Sequence, residues 1–406
     1  MIIGKKIRLK PTPEQEAKFF QFAGAARWAY NYFLARKEEN YKEYLEIGKE
    51  ADWLTHYDVR KEITALKKTE EYSWLKQISS NVIKQAVIDA GQAFDSFYAG
   101  KAKKPRFKSR KKSKLSFYVN YESLKKVFIG FQGEKLGVVK TSEPLPDLPG
   151  DVRHYSNPRI SYDGKYWYLG FGYKQEAENI KLTEESIGID LGLKELAVIY
   201  SKYSKTHNFY KNINKSKEVK RLKRKLRREE RRLSRKLKAN TQEKIYVKHE
   251  SKFKGGYKPV YKKPLKDCKN FQKQKRKIKL IYRRLTNIRN NYMHQITTEL
   301  AKSKPRKIVM EDLNVSGLMK NKHLASAINE VKWYEFIRQM QYKSERYGIE
   351  FIQAPRYYPS SKTCHNCGYV KKDLKLKDRI YICPKCGWKI DRDLNAAMNL
   401  ADYNLA

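Results

Sequence analysis

The chain has 406 residues, with 89 Lys and Arg against 44 Asp and Glu, which gives a formal net charge of +45. This length allows two to four domains, and a hydrophobic fraction of 40% suffices to build their cores. A compact fold with this charge repels itself, so the composition favours a polyanionic partner, nucleic acid before a membrane surface. No secretory signal and no apolar run of about 20 residues is visible, so we expect a cytoplasmic protein without membrane contact.

The first half of the chain predicts a strand, then helices, then a β-rich segment. Residues 7–9 read as a strand, and Thr12 before Pro13 is typical of a capped helix start. Apolar spacing predicts a second helical region over about 56–98. Residues 115–175 carry β-forming residues separated by Gly and Pro clusters, which favours a small barrel interrupted by the preceding helices.

The second half predicts buried strands and two long basic helices. Strands are expected at 187–191, 196–200, 207–210, 307–311 and 349–352. The basic helices are expected at about 215–238 and 272–300, and a further helix, which holds Trp333 and Tyr347, is expected to end near Gly348. The Lys-, Tyr- and Gly-rich segment between the two basic helices has little periodicity, so we expect a mobile loop there.

Three acidic residues stand where apolar segments end or a helix begins. Asp190 and Glu311 each follow an apolar run typical of a buried strand, and Asp393 precedes a predicted helix, with Asp391 as its rival. Acids brought together repel and raise one another's pKa, and Mg²⁺ or Mn²⁺ relieves that cost. Two such ions about 3.5–4 Å apart can hydrolyse a phosphodiester. Each acid alone is explained as well by a helix cap or a surface ion pair, but together they favour a catalytic site.

Four of the five cysteines form two Cys-x-x-Cys pairs, each followed by glycine, with fifteen residues between the pairs. The four are Cys364, Cys367, Cys383 and Cys386. This spacing is typical of a zinc ribbon, in which four thiolates hold one structural Zn²⁺. We expect Cys268 to be a free thiol and His365 to be a surface residue rather than a ligand.

Basic stretches predict contacts with phosphates. Residues 211–238 hold fifteen Lys and Arg against three Glu, too few acids to balance the charge within the helix, so Arg224 and Arg228 are candidate contacts. Cations alternate with aromatic residues at 104–108, where Arg106 and Lys108 are further candidates. A solvated surface is the alternative interpretation.

Several segments together resemble the TnpB family, RNA-guided nucleases encoded by bacterial insertion sequences and related to miniature type V CRISPR effectors. The matching segments are 8–15, 27–31, 188–192, 311–315, 359–364 and 391–397. The resemblance runs nearly end to end and implies that Asp190, Glu311 and Asp393 are the catalytic ligands of two Mg²⁺ or Mn²⁺ ions. Asp393 is preferred over Asp391 because the family pattern places its acid two residues before the Asn of Asn-Ala-Ala.

The resemblance also implies an architecture. It predicts α/β and α+β domains: a wedge-like β-barrel formed by 1–15 and 100–180, and a helical recognition domain at 16–99. It also predicts an RNase H-like (RuvC) nuclease domain formed by 181–360 and 388–406, with a zinc ribbon inserted at 361–387. Segment 240–270 is longer and more irregular than the family pattern.

The resemblance further implies partners: a guide RNA and target double-stranded DNA, bound by a single copy of the protein at the nucleoid. Base pairing would read most of the target, and protein would read a short adjacent motif. Lys84 and Gln85 are candidates for that contact, and Arg392 is a candidate for offsetting charge on the scissile phosphate. The alternatives are an RNA-guided repressor that has lost cleavage, which loss of any of the three acids would favour, and a CRISPR-associated effector.

Overall fold

The computed structural model describes residues 2–48, 53–110, 113–150, 154–175, 180–247, 256–375 and 377–404. The chain divides into two units, residues 1–176 and 177–406. Each unit combines helices with β-sheet, so the predicted mixed α/β class is confirmed. Within the described residues, none of the helices combines the length and the apolar character that crossing a bilayer requires.

The first unit contains one seven-stranded sheet and three helices. Its helices are α1 (Pro13–Ile47), α2 (His56–Leu66) and α3 (Ser80–Tyr98). Its strands are β1 (Ile2–Lys10), β2 (Ser116–Tyr118), β3 (Lys125–Val127), β4 (Gly130–Gly133), β5 (Gly137–Thr141), β6 (Ser156–Tyr162) and β7 (Trp167–Lys174). The antiparallel sheet has the order β2-β6-β7-β1-β5-β4-β3, so the first strand of the chain lies at its centre.

Local sequence explains where α1 begins. The Thr12 hydroxyl accepts a hydrogen bond from the backbone N–H of Gln15 at 3.2 Å, and the Gln15 side chain accepts one from the N–H of Thr12 at 3.1 Å. Pro13 occupies the first helical turn, where its missing N–H costs nothing. The predicted helix start is therefore confirmed. The second helical region is not continuous, because α2 and α3 are separated by a short 3-10 helix at Ser73–Gln77.

The second unit is built on a five-stranded sheet. The described strands of the whole unit are β8 (Ser186–Leu191), β9 (Glu195–Ser201), β10 (Thr206–Lys211), β11 (Thr241–Val247), β12 (Gly256–Tyr261), β13 (Lys307–Glu311), β14 (Glu350–Ala354), β15 (Ile380–Ile382) and β16 (Lys389–Asp391). Of these, β11 with β12 and β15 with β16 form two separate two-stranded sheets. Its helices are α4 (Lys217–Ala239), α5 (Lys269–Lys302), α6 (Val315–Leu318), α7 (Ala325–Val331), α8 (Trp333–Tyr347) and α9 (Arg392–Asp402).

The strand order of the five-stranded sheet is β10-β9-β8-β13-β14. Strands β8, β13 and β14 run parallel, β9 is antiparallel to β8, and β10 is antiparallel to β9 and therefore runs in the same direction as β8. The central strands are continuous apolar runs, Ile187–Ile189 and Ile308–Met310, because parallel strands are buried on both faces. The strands predicted from these runs are confirmed.

Helices α4 and α5 pack together through a small apolar core. Leu222 and Leu226 of α4 meet Ile278, Ile281 and Leu285 of α5. The prediction of a loop without regular structure between the helices is wrong for the described residues. There β11 and β12 form an antiparallel hairpin, whose alternation is too short to stand out among the lysines. Residues 248–255 of the predicted loop lie outside the described residues.

Candidate active site and metal centre

Strand register brings the first two acids to one edge of the sheet. In the parallel pair β8–β13, Ile189 lies opposite Met310. The next residues, Asp190 and Glu311, therefore follow at the carboxyl ends of neighbouring strands, which are about 4.8 Å apart. The first two predicted site residues thus occupy one strand-end position.

A glycine in β8 lets α9 bring the third acid to the same edge. A Cβ atom at Gly188 would lie 2.0 Å from the carbonyl oxygen of Ala397 and 2.4 Å from the nitrogen of Ala401, so only glycine permits this approach. Asp393 lies one helical turn before Ala397, and Asp190 lies two residues beyond Gly188. The rise along α9 from Ala397 back to Asp393 and the rise along β8 from Gly188 to Asp190 are both about 6 Å, so α9 carries Asp393 towards Asp190.

The electrostatics of Asp190 reflect this convergence. Desolvation by the surrounding protein raises the pKa of Asp190 well above its ordinary value, and the charges of Glu311 and Asp393 raise it further. Arg392 opposes the shift. Clustered carboxylates that raise one another's pKa form a site at which a cation is favourable.

The other two acids are held by neighbouring side chains. The Ser360 hydroxyl, which is buried, donates a hydrogen bond to Glu311 Oε1. Arg392 donates to Asp393 Oδ1 at 3.1 Å, and Arg379 lies 3.9 Å from Asp393 Oδ2. The sulfur atoms of the four cysteines all lie within 4.8 Å of one another. Among the described residues, the carboxylate oxygens of the three acids do not form such a group. Glu311 and Asp393 are thus each engaged by a neighbouring side chain.

Asp391 has a different role from Asp393. Its carboxylate caps α9 by accepting hydrogen bonds from the backbone N–H groups of Asp393 at 2.9 Å and Leu394 at 3.2 Å. The negative charge of this carboxylate also interacts favourably with the positive, N-terminal end of the helix dipole. The alternative for the third position is therefore explained as a helix cap.

The four cysteines come together as one compact cluster. The sulfur atoms all lie within 4.8 Å of one another, with Cys364 and Cys386 3.8 Å apart and Cys367 and Cys383 3.5 Å apart. Four thiolates at about 2.3 Å from one Zn²⁺ would be about 3.8 Å apart in a tetrahedron. The group therefore fits a metal of that size.

Each pair forms a knuckle of the same design. The N–H of Gly368 donates to the carbonyl of Cys364 at 2.8 Å, and the N–H of Gly387 donates to that of Cys383 at 3.0 Å. Both glycines have φ near +70°, a conformation that other residues rarely adopt. The N–H of Trp388 lowers the pKa of the Cys386 thiol to about 6, which favours the thiolate that a metal requires.

Two buried asparagines of α9 anchor the segment that leads into the first knuckle. The Asn395 amide donates to the carbonyl of Thr363 at 2.7 Å, and the Asn399 amide donates to the carbonyls of Ser360 at 2.6 Å and Thr363 at 2.7 Å. The segment also contains Ser360, which contacts Glu311. One short stretch of backbone thus connects the cysteine cluster, α9 and the strand-end acids.

The sequence did not single out Ser360, Asn395 or Asn399 as functional residues. Their position in the sequence was the one indication of a role. Ser360 lies in the segment before the cysteine knuckles, and the two asparagines follow Asp393 on α9. His365 is absent from the cysteine cluster, and its Nδ1 lies 3.4 Å from Asp402. Cys268 is a free cysteine at the start of α5.

The candidate nucleic-acid contacts differ in exposure. Lys84, Arg106, Arg224 and Arg228 are exposed. The Gln85 amide donates to Asp89 at 3.0 Å.

Two of the candidate cations are turned inward. Lys108 lies over the ring of Tyr30, 3.3 Å from its centroid, and burial lowers the pKa of its ammonium. Arg392 is held against Asp393. These two residues are therefore less available to a phosphate than the exposed candidates are.

Known families match most of the chain. The model described as "Probable transposase" (OrfB_IS605) matches residues 171–322. The model "Cas12f1-like, TNB domain" matches residues 333–400, and a "Helix-turn-helix domain" model of the same OrfB_IS605 group matches residues 1–46.

Curated relatives align over almost the whole chain. A protein of Streptomyces pristinaespiralis is 30% identical over 99% of this chain and 89% of its own length. InsQ of Escherichia coli (strain K12) is 28% identical over 97% of this chain and 90% of its own length. Both carry RNA-guided DNA endonuclease as a provisional designation. A solved structure of the mini-RNA-guided endonuclease CRISPR-Cas_phi3 aligns with 99% of this chain and 92% of its own at 12% identity, with a TM-score of 0.46.

The sequence resemblance is thus matched by relatives that extend from one end of the chain to the other. With three matching family models and a 30% identical relative aligned over nearly its whole length, the chain belongs to the TnpB family of RNA-guided DNA endonucleases.

Proposed function

We propose that this protein cleaves double-stranded target DNA, directed by a guide RNA, at a site formed by Asp190, Glu311 and Asp393. The observation that supports the proposal is that the segments carrying these acids are neighbours: strand register aligns Asp190 and Glu311, and α9, which carries Asp393, approaches β8 closely at Gly188. The relatives' designation and the net charge of +45 support nucleic acid as the substrate and guide.

The proposed domains follow the two units. The seven-stranded sheet would be the wedge-like barrel, formed by 1–15 and 100–180, with the helices within 16–99 as the recognition lobe. Residues 181–360 and 388–406 would form the RNase H-like nuclease domain. The mixed sheet, in which β9 alone runs opposite to β10, β8, β13 and β14, supports that assignment. Residues 361–387 would form the zinc ribbon.

The three acids fit hard divalent cations because all their donors are carboxylate oxygens. Asp190, Glu311 and Asp393 would hold two Mg²⁺ or Mn²⁺ ions, which when bound supply an activated water and charge stabilisation at a phosphodiester. Ser360 fixes the orientation of Glu311 through its hydroxyl. Arg392 orients Asp393 and reduces the repulsion among the carboxylates, a role that differs from direct contact with the scissile phosphate.

The cysteine cluster would hold one structural Zn²⁺. Four protein ligands leave no open position for a substrate, so this metal would stabilise the ribbon and take no part in the chemistry. Because Asn395 and Asn399 hold the backbone next to the first knuckle, the ribbon would also fix Ser360 beside Glu311.

The test is cleavage by the ribonucleoprotein. The protein is co-purified with RNA from its own locus and incubated with Mg²⁺ and a library of targets in which the flanking sequence is randomised. We expect Mg²⁺-dependent cuts next to a short fixed motif, and none with Asp190→Ala although the RNA remains bound. Removal of Asp190 should reduce the rate by more than about 100-fold, beyond the 10–100-fold typical of outer-shell residues.

Two outcomes would change the proposal. Guided DNA binding without cleavage by the parent protein would favour an RNA-guided repressor acting in the cytoplasm at the nucleoid. Guidance by RNA from a repeat array would favour a CRISPR-associated role, to which the Cas12f1-like family match also points.

A further inference from the structure

The β11–β12 hairpin extends from the end of the helix pair α4–α5, and the proposed cleavage chemistry does not require it. Its base is fixed. The Asn240 amide donates to the carbonyl of Lys263 at 2.8 Å, and Asn240 Oδ1 accepts from the N–H of Lys263 at 3.2 Å. The N–H of Lys262 donates to the carbonyl of Asn240 at 2.8 Å. The hairpin is therefore held firmly at the end of α4.

The hairpin carries two exposed tyrosines far from that base. Tyr246 and Tyr257 are a cross-strand pair, with ring centroids 5.5 Å apart, and are 56% and 71% exposed. Tyr246 lies six positions after Asn240 along the strand, which corresponds to about 20 Å at 3.3 Å per residue. A pair of large rings left in solvent at this distance contributes little to folding, because a two-stranded hairpin has no core to bury them in.

The two faces of the hairpin differ in composition. Tyr246, Tyr257, Lys244 and Pro259 lie on one face because residues opposite each other, and residues two apart, share a side. The pairs Ile245–Lys258 and Glu243–Val260 lie on the other face. The tyrosine face therefore combines two aromatic rings with a cation.

The charge of the surroundings indicates what kind of molecule this face meets. Helices α4 and α5 contain twenty-three Lys and Arg against four Glu. Exposed cations of α4, among them Arg221, Arg224 and Lys225, line one concavity together with Arg284 of α5. A phosphate backbone lying along these helices would be complementary in charge.

Strand pairing with another protein is disfavoured at this hairpin. Pro259 in β12 has no backbone N–H to offer, and Lys244 and Lys258 place positive charge along the strands. Proline and lysine residues on an exposed strand both disfavour its pairing with a strand of another protein.

Among nucleic acids, unpaired nucleotides fit this face better than a duplex does. Base edges in a duplex groove are read by Arg, Lys, Asn and Gln side chains, and among the two described residue pairs of this face Lys244 is the one such side chain. Aromatic rings stack on the faces of bases, which are accessible only when the bases are unpaired.

We propose that the tyrosine face of the β11–β12 hairpin, Tyr246 and Tyr257 with Lys244, binds unpaired nucleotides by base stacking while α4 contacts the adjoining phosphates. The inference deepens the proposed function, because a guided nuclease presents unpaired nucleotides in its RNA and in the displaced DNA strand. Both sources offer the same chemistry.

The test measures binding without cleavage. The zinc-loaded full chain is titrated into a fluorescently labelled single-stranded RNA, a DNA of the same sequence, and its duplex, at several KCl concentrations. Tyr246→Ala combined with Tyr257→Ala should weaken binding of a single strand by about ten-fold, within the range for loss of one stacked base. The slope of log affinity against log salt should not change, because no charge is lost.

Matched variants make the result specific. Tyr246→Phe with Tyr257→Phe should restore binding because phenyl rings also stack, and Ile245→Ala on the opposite face should bind like the parent. Arg224→Gln should instead reduce the salt slope by about 0.7, the value for one phosphate contact on a single strand.

Each remaining outcome decides the question. A loss confined to RNA identifies the guide as the source, and a loss confined to single-stranded DNA identifies the displaced strand. Binding by the tyrosine-to-alanine variant equal to the parent, an equal loss in Ile245→Ala, or a loss seen only with the duplex would overturn the proposal. Because no cut is scored, failure of the proposed nuclease activity would leave this result readable, and failure here would leave the nuclease assignment standing.

Discussion

The second unit contains two candidate metal sites that are built in opposite ways. The four cysteines fall within 23 residues, from Cys364 to Cys386, and two short knuckles bring their sulfur atoms within 4.8 Å of one another. The acids Asp190, Glu311 and Asp393 come from segments separated by most of the unit. Their segments become neighbours only because β8 and β13 are parallel partners and α9 lies against β8. The comparison shows that a structural site can be local, whereas this candidate catalytic site depends on the whole sheet.

The largest expected effect comes from breaking the local site. Cys364→Ser removes one thiolate and should reduce bound zinc from one equivalent per chain towards zero, since structural zinc contributes an apparent 10–16 kcal/mol to folding in zinc-finger peptides. Metal analysis with protease mapping of 361–387 checks this. Cys268→Ser is the control and should retain zinc. Full zinc in Cys364→Ser would mean that the cluster does not hold the metal.

The next effect comes from separating α9 from the sheet. Gly188→Ala places a Cβ 2.0 Å from the backbone of Ala397, so the helix must move. We expect a loss of about 3 kcal/mol, the upper range for overpacking, and a Tm lower by roughly 6–12 °C. Calorimetry measures both.

Gly4→Ala is the matched control for that substitution. Gly4 also lies in a strand, but no atom lies within 4 Å of a Cβ built there. A melting curve for Gly188→Ala equal to that of the parent would contradict the close packing of α9 on β8.

A smaller effect should follow from disturbing the connection between the two sites. Ser360→Ala removes the hydroxyl that orients Glu311, so the Mg²⁺ concentration needed for half-maximal binding should rise 10- to 100-fold, as for other outer-shell partners. Calorimetric titration of the DNA-free chain with Mg²⁺ gives this value without relying on activity.

Ser361→Ala serves as the neighbouring control and should titrate like the parent. Zinc content should stay at one equivalent in both variants. An unchanged Mg²⁺ titration in Ser360→Ala would remove Ser360 from the site.

The smallest expected effect separates the two acids at the start of α9. Asp391→Ala should lower the free energy of unfolding by about 1 kcal/mol, the usual value of an N-cap, and leave Mg²⁺ binding intact. Asp393→Ala should show the opposite pattern, with weak Mg²⁺ binding and nearly unchanged stability. Chemical denaturation and calorimetry distinguish them. Loss of Mg²⁺ binding in Asp391→Ala alone would exchange their roles.

Patterns confined to neighbouring residues were predictable. Thr12 and Pro13 predicted the start of α1. Apolar residues predicted strands β8 and β13 and the helix α8. The hairpin after α4 was not predicted, because its exposed strands lack a buried face and thus the apolar alternation by which strands are recognised. The contact of the Lys108 ammonium with the Tyr30 ring was not predicted either, because it joins segments that are far apart in the sequence.

By itself the sequence determined the two Cys-x-x-Cys pairs, the start of α1 and the buried strands, because spacing and residue type along a few residues specify each of these, and with the family resemblance it predicted the three acids as candidate ligands. Only the tertiary structure decided which acid caps α9, which hydroxyl holds Glu311, and why residue 188 must be glycine. Those facts depend on distances between segments far apart in the chain, and such distances are set by strand register and helix packing.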